Sequence, residues 1–228
     1  MKKIIHIGSI ILAWTIVLIG FSLDILPMTS MSGQGKILFY GLPMIILFTD
    51  MVYQIRKAQT KQQKENIKKK MLWMIFGIYL LAIITLLLLK NEYRYIGRWS
   101  NLNPLFSKEN LEISVNFIPF KTILDFMQRW LQGMLNSKAV LINIIGNLIA
   151  FAPFGFFVPL LLQNKIKNIK SFILFMIGIV FLAEGLQFFL RVGQADIDDL
   201  ILNVIGAVIV YGVMKTKKGT QLITKLLG

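Results

Sequence analysis

A chain of 228 residues with no cysteine excludes a disulfide framework, a thiolate metal site and a cysteine nucleophile. It is 56% hydrophobic, with a mean hydropathy of +0.67 and only 16% charged residues, against about 25% in soluble domains, so an ordinary soluble domain is excluded. The net charge of +14 suggests nucleic acid only until the charges are located, because they collect between apolar runs and match no nucleic-acid-binding motif.

Six apolar runs approach or exceed the ~20 residues that cross a bilayer, over roughly 4–26, 37–55, 71–89, 139–162, 171–190 and 197–214. The first follows Met1-Lys2-Lys3, but it is longer than a signal-peptide core and no small-residue cleavage site follows, so it is read as a retained helix. The pattern predicts an all-α, polytopic transmembrane bundle with both termini on one side. Sixteen of the 25 basic residues lie in the segments on the terminal side, together with one acid, Glu65. The other segments hold nine basic residues. By the positive-inside rule both termini are cytoplasmic. The run "RKAQTKQQKENIKKK" is then a topology signal and a partner for anionic headgroups. The divisions are 1–70, a two-span extension with its basic loop; 71–214, a four-span core; and 215–228, a basic cytoplasmic tail.

The long segment 90–138 is thereby extracellular. Within it, Thr122-x-x-Asp125 has the form of a capping box. Apolar Ile123, Leu124, Met127, Trp130, Leu131 and Met134 recur at helical spacing, with Lys121, Asp125, Gln128, Arg129 and Gln132 between them. This predicts an amphipathic helix, either lying in the outer interface or packed on the span ends.

Span four, "AVLINIIGNLIAFAPFGFFVPLLL", puts Asn143 and Asn147 on one face. Gly146 and Gly155 are expected to allow close helix approach, and Pro153 to kink or break the helix. On span five, Glu184, Gln187 and Arg191 share a face. On span six, Asp199, Asn203 and Gly206 do so, with Asp196 and Asp198 at its mouth. Three successive spans thus carry polar faces in the outer half of the membrane. A carboxylate facing lipid costs several kcal/mol, so these groups are expected to face one another, with Arg191 the first partner of Glu184. Amides gluing helices and acids favouring a helix N-terminus are the structural alternative. The aspartates have oxygen ligands for a divalent cation but lack a loop of the right form, so no metal is expected, and nothing points to a cofactor. Asp24 is a possible further member of the site. His6, the single histidine, and Asp50 are expected to snorkel or pair near cytoplasmic span ends.

Four stretches resemble the VanZ-like family: "VNFIPF", with Asn116; "NIIGNLIAFAPFGFFVPLL"; "EGLQ" with a following arginine; and "DIDDLILNVIGA". They occur in order over roughly 71–214. The family shows Gly-Arg before its acidic motif, whereas this chain has "RVGQADIDD". The resemblance implies a membrane protein of Gram-positive type that raises resistance to teicoplanin, a lipid-tailed glycopeptide. The implied partners are membrane lipids, a lipid-linked peptidoglycan precursor or the lipoglycopeptide.

Three functions are compatible with these residues. The first is non-enzymatic binding or shielding at the outer leaflet, with Asn116, Asn143, Asn147, Glu184, Gln187, Arg191, Asp196, Asp198, Asp199 and Asn203 lining the pocket. The second is an intramembrane enzyme acting on a lipid-linked substrate, with Glu184 as general acid or base and Asp198 or Asp199 as the second carboxylate. The third is a transporter or flippase, which broken helices suit but which the outer-half clustering and the lack of a repeat do not. The sequence sets no oligomeric state.

Overall fold

The structure, a computed structural model, describes residues 2–25, 31–89, 105–162 and 164–227. The first part of the long segment between spans three and four, 90–104, lies outside them. Six of the described helical stretches are long and apolar enough to cross a membrane: Ile4–Ile25, Gln34–Lys57, Lys61–Leu88, Val140–Leu161, Ile169–Phe189 and Ile197–Lys215. The chain is an all-α, multi-pass membrane protein. By contacts it divides into two units, Met1–Arg94 with Lys217–Gly228, and Tyr95–Thr216.

The first unit contains α1 (Lys2–Ile25), α2 (Gly33–Lys36), a π-helical turn (Ile37–Gly41), α3 (Leu42–Lys57) and α4 (Lys61–Leu88). Pro43 lacks the N–H that an α-helical ladder would require, and the turn just before it runs in the wider register. The basic run expected as a loop is helical from Lys61. Its start is a capping box: Gln63 N–H donates to Thr60 Oγ1 at 3.2 Å, and Thr60 N–H donates to Gln63 Oε1 at 3.3 Å. Two polar pairs are built into this unit. His6 Nδ1 meets Asp50 Oδ2 at 2.5 Å, so these residues pair. Asp24 is fully buried against Lys36, whose Nζ lies 3.2 Å from Asp24 Oδ1 and donates to the Thr85 carbonyl at 2.9 Å. Tyr40 donates to the other Asp24 oxygen. Lys36 was not singled out in the sequence.

The second unit begins with α5 (Lys108–Ser114), capped by the Ser107 hydroxyl, and a two-residue strand β1 (Val115–Asn116). The amphipathic helix α6 (Lys121–Leu131) follows. Span four is two helices, α7 (Ser137–Ala150) and α8 (Phe154–Leu161). The break falls at Pro153, as expected, and tighter bonds such as Gly155 N–H to the Ala152 carbonyl at 2.9 Å bridge it. Then come α9 (Ile169–Phe189), a strand β2 (Ala195–Asp196) and α10 (Ile197–Lys215). The basic C-terminal stretch forms α11 (Lys217–Leu227), which belongs to the first unit.

Helix α10 is the axis of the second unit, packed on α7, α8 and α9. Two glycines make that packing possible. A Cβ on Gly155 would overlap the Ala207 carbonyl, and one on Gly206 the Leu148 carbonyl. Gly146, expected to serve the same purpose, faces open space. Where α9 crosses α10, Phe172 stacks on Tyr211 with centroids 4.4 Å apart. No residue of α6 is buried. Leu124, Met127, Trp130 and Leu131 all stand exposed.

Candidate functional site

The site forms where α9 ends and α10 begins. Along α9, Phe172, Met176, Val180 and Glu184 are four residues apart and all buried, so one stripe changes from apolar to acidic at its last turns. The helix stops in a Schellman motif. Val192 N–H donates to the Gln187 carbonyl at 2.9 Å, and Arg191 N–H donates to the Phe188 carbonyl at 3.0 Å. Arg191 therefore occupies the left-handed position, φ 55°, where glycine is the usual choice. Among the described residues no ion pair joins it to Glu184. Instead, the backbone N–H of Asp196 donates to Glu184 Oε2 at 3.4 Å. The buried Gln187 side chain lies against Gly193.

Each aspartate is committed to a different task. β1 and β2 pair in parallel, Val115 with Ala195 and Asn116 with Asp196. Asp196 Oδ1 accepts from Asn116 Nδ2 at 2.9 Å and from the Asp198 N–H at 2.9 Å, so one oxygen ties down β1 and caps α10. Asp196 Oδ2 accepts from the Thr122 hydroxyl at 2.5 Å. Asp198, 1% exposed, reaches back across the chain to α6: Phe120 N–H donates to Oδ1 at 2.5 Å and Ile123 N–H to Oδ2 at 3.1 Å.

The capping box expected within 122–125 does not form, because the Thr122 hydroxyl is spent on Asp196. The start of α6 has no side-chain cap of its own, and Phe120 is left-handed at φ 65°. Asp198 is its cap, supplied from 75 residues away. Asp199 accepts from Asn147 Nδ2, joining α10 to α7. Asn143, on the same face of α7, makes no side-chain hydrogen bond among the described residues. The buried Asn203 carbonyl oxygen likewise has no hydrogen-bond partner.

Glu184 and Asp196 border a cavity of about 560 Å³, within the range of small-molecule sites, roughly 300–1,000 Å³. Its walls are overwhelmingly apolar: Phe106 and Leu111 on one side, Phe181, Phe188 and Phe189 on another, with Val115 and Ala195 of the strand pair between them. Phe106 packs edge-on to Phe189 at 6.4 Å. Phe181 is 65% exposed, so the cavity opens sideways on the face of a span rather than only at its end. Glu112 is the other carboxylate on its wall. Among the described residues no three His, Asp or Glu side chains converge to hold a metal ion. The fan of aspartate partners explains why.

A family-level comparison matches residues 76–218, more than half of the chain, to VanZ/LLP1. The chain belongs to the VanZ/LLP1 family. The match begins inside α4 and takes in every residue of the site just described. No curated protein and no solved structure is matched by this chain. Asn116, Asp196 and Asp198, which carry the resemblance, thus fasten β1 and the start of α6 to the strand and helix that follow α9. Thr122 and the phenylalanines of the wall are not assigned to the site by the sequence. Thr122 looked like part of a local cap, and phenylalanine in an apolar span gives no sign of which cavity it lines.

Proposed function

We propose that this VanZ/LLP1-family protein acts at the outer leaflet of a bacterial cell membrane, with both termini cytoplasmic. It binds the tail of a lipid-tailed glycopeptide of teicoplanin type and so shields the cell envelope. The carrying observation is the phenylalanine-walled cavity that opens on the face of a span beside an interfacial helix. An acyl tail in the outer leaflet can enter it without leaving an apolar surrounding. The orientation is supported by the gathering of basic residues on the terminal side. Glu184 contributes a carboxylate at the wall, and its Oε2 steadies the start of β2.

The enzymatic alternative draws less support. The second carboxylate it assigns is Asp198 or Asp199, whereas Asp198 is occupied by two backbone N–H groups and Asp199 by Asn147.

The test is growth inhibition in a susceptible Gram-positive host, comparing teicoplanin with tailless vancomycin. Wild type is expected to protect against teicoplanin only, and Glu184→Gln at equal membrane abundance to lose most of that protection. Equal protection against both drugs would refute tail binding.

A further inference from the structure

The apolar cavity shares two wall residues, Glu112 and Val115, with a second cleft of about 400 Å³ that is polar. Lys121, Asp125 and Arg129 line that cleft. They are four residues apart on α6, so they form one face, turned away from Leu124, Met127 and Leu131. Oppositely charged neighbours at this spacing ordinarily pair along the helix. Here none of the three side chains makes an ion pair or hydrogen bond among the described residues. The ion-pair partner of Glu112 is Lys108, at 4.0 Å on an exposed edge. The cleft therefore presents two cations, Lys121 and Arg129, and two carboxylates, Asp125 and the solvent-exposed Glu112, directly beside a chain-sized apolar cavity.

We propose that the two cavities are one bipartite site for a zwitterionic amphiphile. Its acyl chain lies between Phe181 and Phe189. Its anionic group is held by Lys121 and Arg129 and its ammonium group by Asp125 and Glu112, each through charge-assisted hydrogen bonds. A purely anionic headgroup leaves the two carboxylates unmatched, and a neutral one leaves all four charges unmatched. The inference deepens the reading above, since both a membrane lipid and a lipid-tailed antibiotic with a free amine and an acidic group have this chemistry.

The experiment uses the full chain, purified and delipidated. It titrates lysophosphatidylethanolamine, lysophosphatidylglycerol and monoacylglycerol of one chain length, with teicoplanin as competitor. The zwitterionic lipid is expected to bind about tenfold more tightly than the other two. Asp125→Asn and Arg129→Gln are each expected to abolish that preference, while Phe181→Ala weakens all three equally. Both charged side chains are exposed and unbonded, so these variants retain the fold. Equal binding of the three lipids, or a preference that survives Asp125→Asn, overturns the proposal. Displacement by teicoplanin places the antibiotic in the same site. Selective lipid binding that teicoplanin does not displace upholds the bipartite site and counts against the antibiotic reading alone.

Discussion

Gly206→Ala lowers the thermal stability of the purified protein sharply, by about 3 kcal/mol, at the upper end of the ~1–3 kcal/mol typical of overpacked cores. The added Cβ would overlap the Leu148 carbonyl, which belongs to the backbone of α7 and cannot turn aside as a side chain would. The helices must separate, and with them the Asn147–Asp199 bond two turns up α10. Gly146→Ala on α7 is the control. Nothing lies within 4 Å of its new methyl, and alanine is favoured over glycine in a helix by about 1 kcal/mol, so stability holds or rises slightly. Circular dichroism melts of the two variants in one detergent provide the comparison. A Gly206→Ala protein that melts with wild type would refute the close α7–α10 packing.

Asp198→Ala releases α6 from the span ends. Two backbone donors, Phe120 N–H and Ile123 N–H, lose their acceptor. Loss of a helix cap costs about 0.5–2 kcal/mol, which here falls on a helix of eleven residues with no cap of its own. The expected result is fast amide exchange across 120–125, with the exchange of α7 and α9 little changed. Asp198→Asn keeps one acceptor oxygen and falls between. Asp125→Ala, by contrast, leaves exchange in α6 at the wild-type rate, because its side chain caps nothing. If Asp198→Ala left α6 as protected as wild type, the aspartate would not be its cap.

The spans were legible because a run of apolar residues long enough to cross a bilayer is a local property. So was the break at Pro153, since a missing N–H acts where it stands. The polar faces of spans four to six were legible by their spacing, and the structure does bring Asn147 to Asp199 and Asn116 to Asp196. What each acid does was not legible. Asp198 caps a helix far earlier in the chain, and a local pattern, Thr122-x-x-Asp125, imitated the cap it supplies. Arg191, expected as a charge for Glu184, holds the left-handed position that ends α9. That is a conformational role for which arginine gives no signal, because glycine normally fills it. The lysine run was read through its charge, so the Thr60-x-x-Gln63 box that starts α4 within it was passed over. Lys36 reads as a loop cation until Asp24 is seen to be buried beside it.

β1 and β2 lie side by side at the wall of the cavity. Paired strands lie about 4.7–4.9 Å apart, within the Cα range a disulfide can bridge. The chain has no cysteine of its own, so Val115→Cys with Ala195→Cys is a clean probe in intact membranes. Mild oxidation is expected to form an intramolecular disulfide in the double variant. The crosslink, lying in the wall of the cavity, is also expected to remove teicoplanin protection until it is reduced. Two thiols that stay free under these conditions would contradict the strand pairing and the cavity built on it.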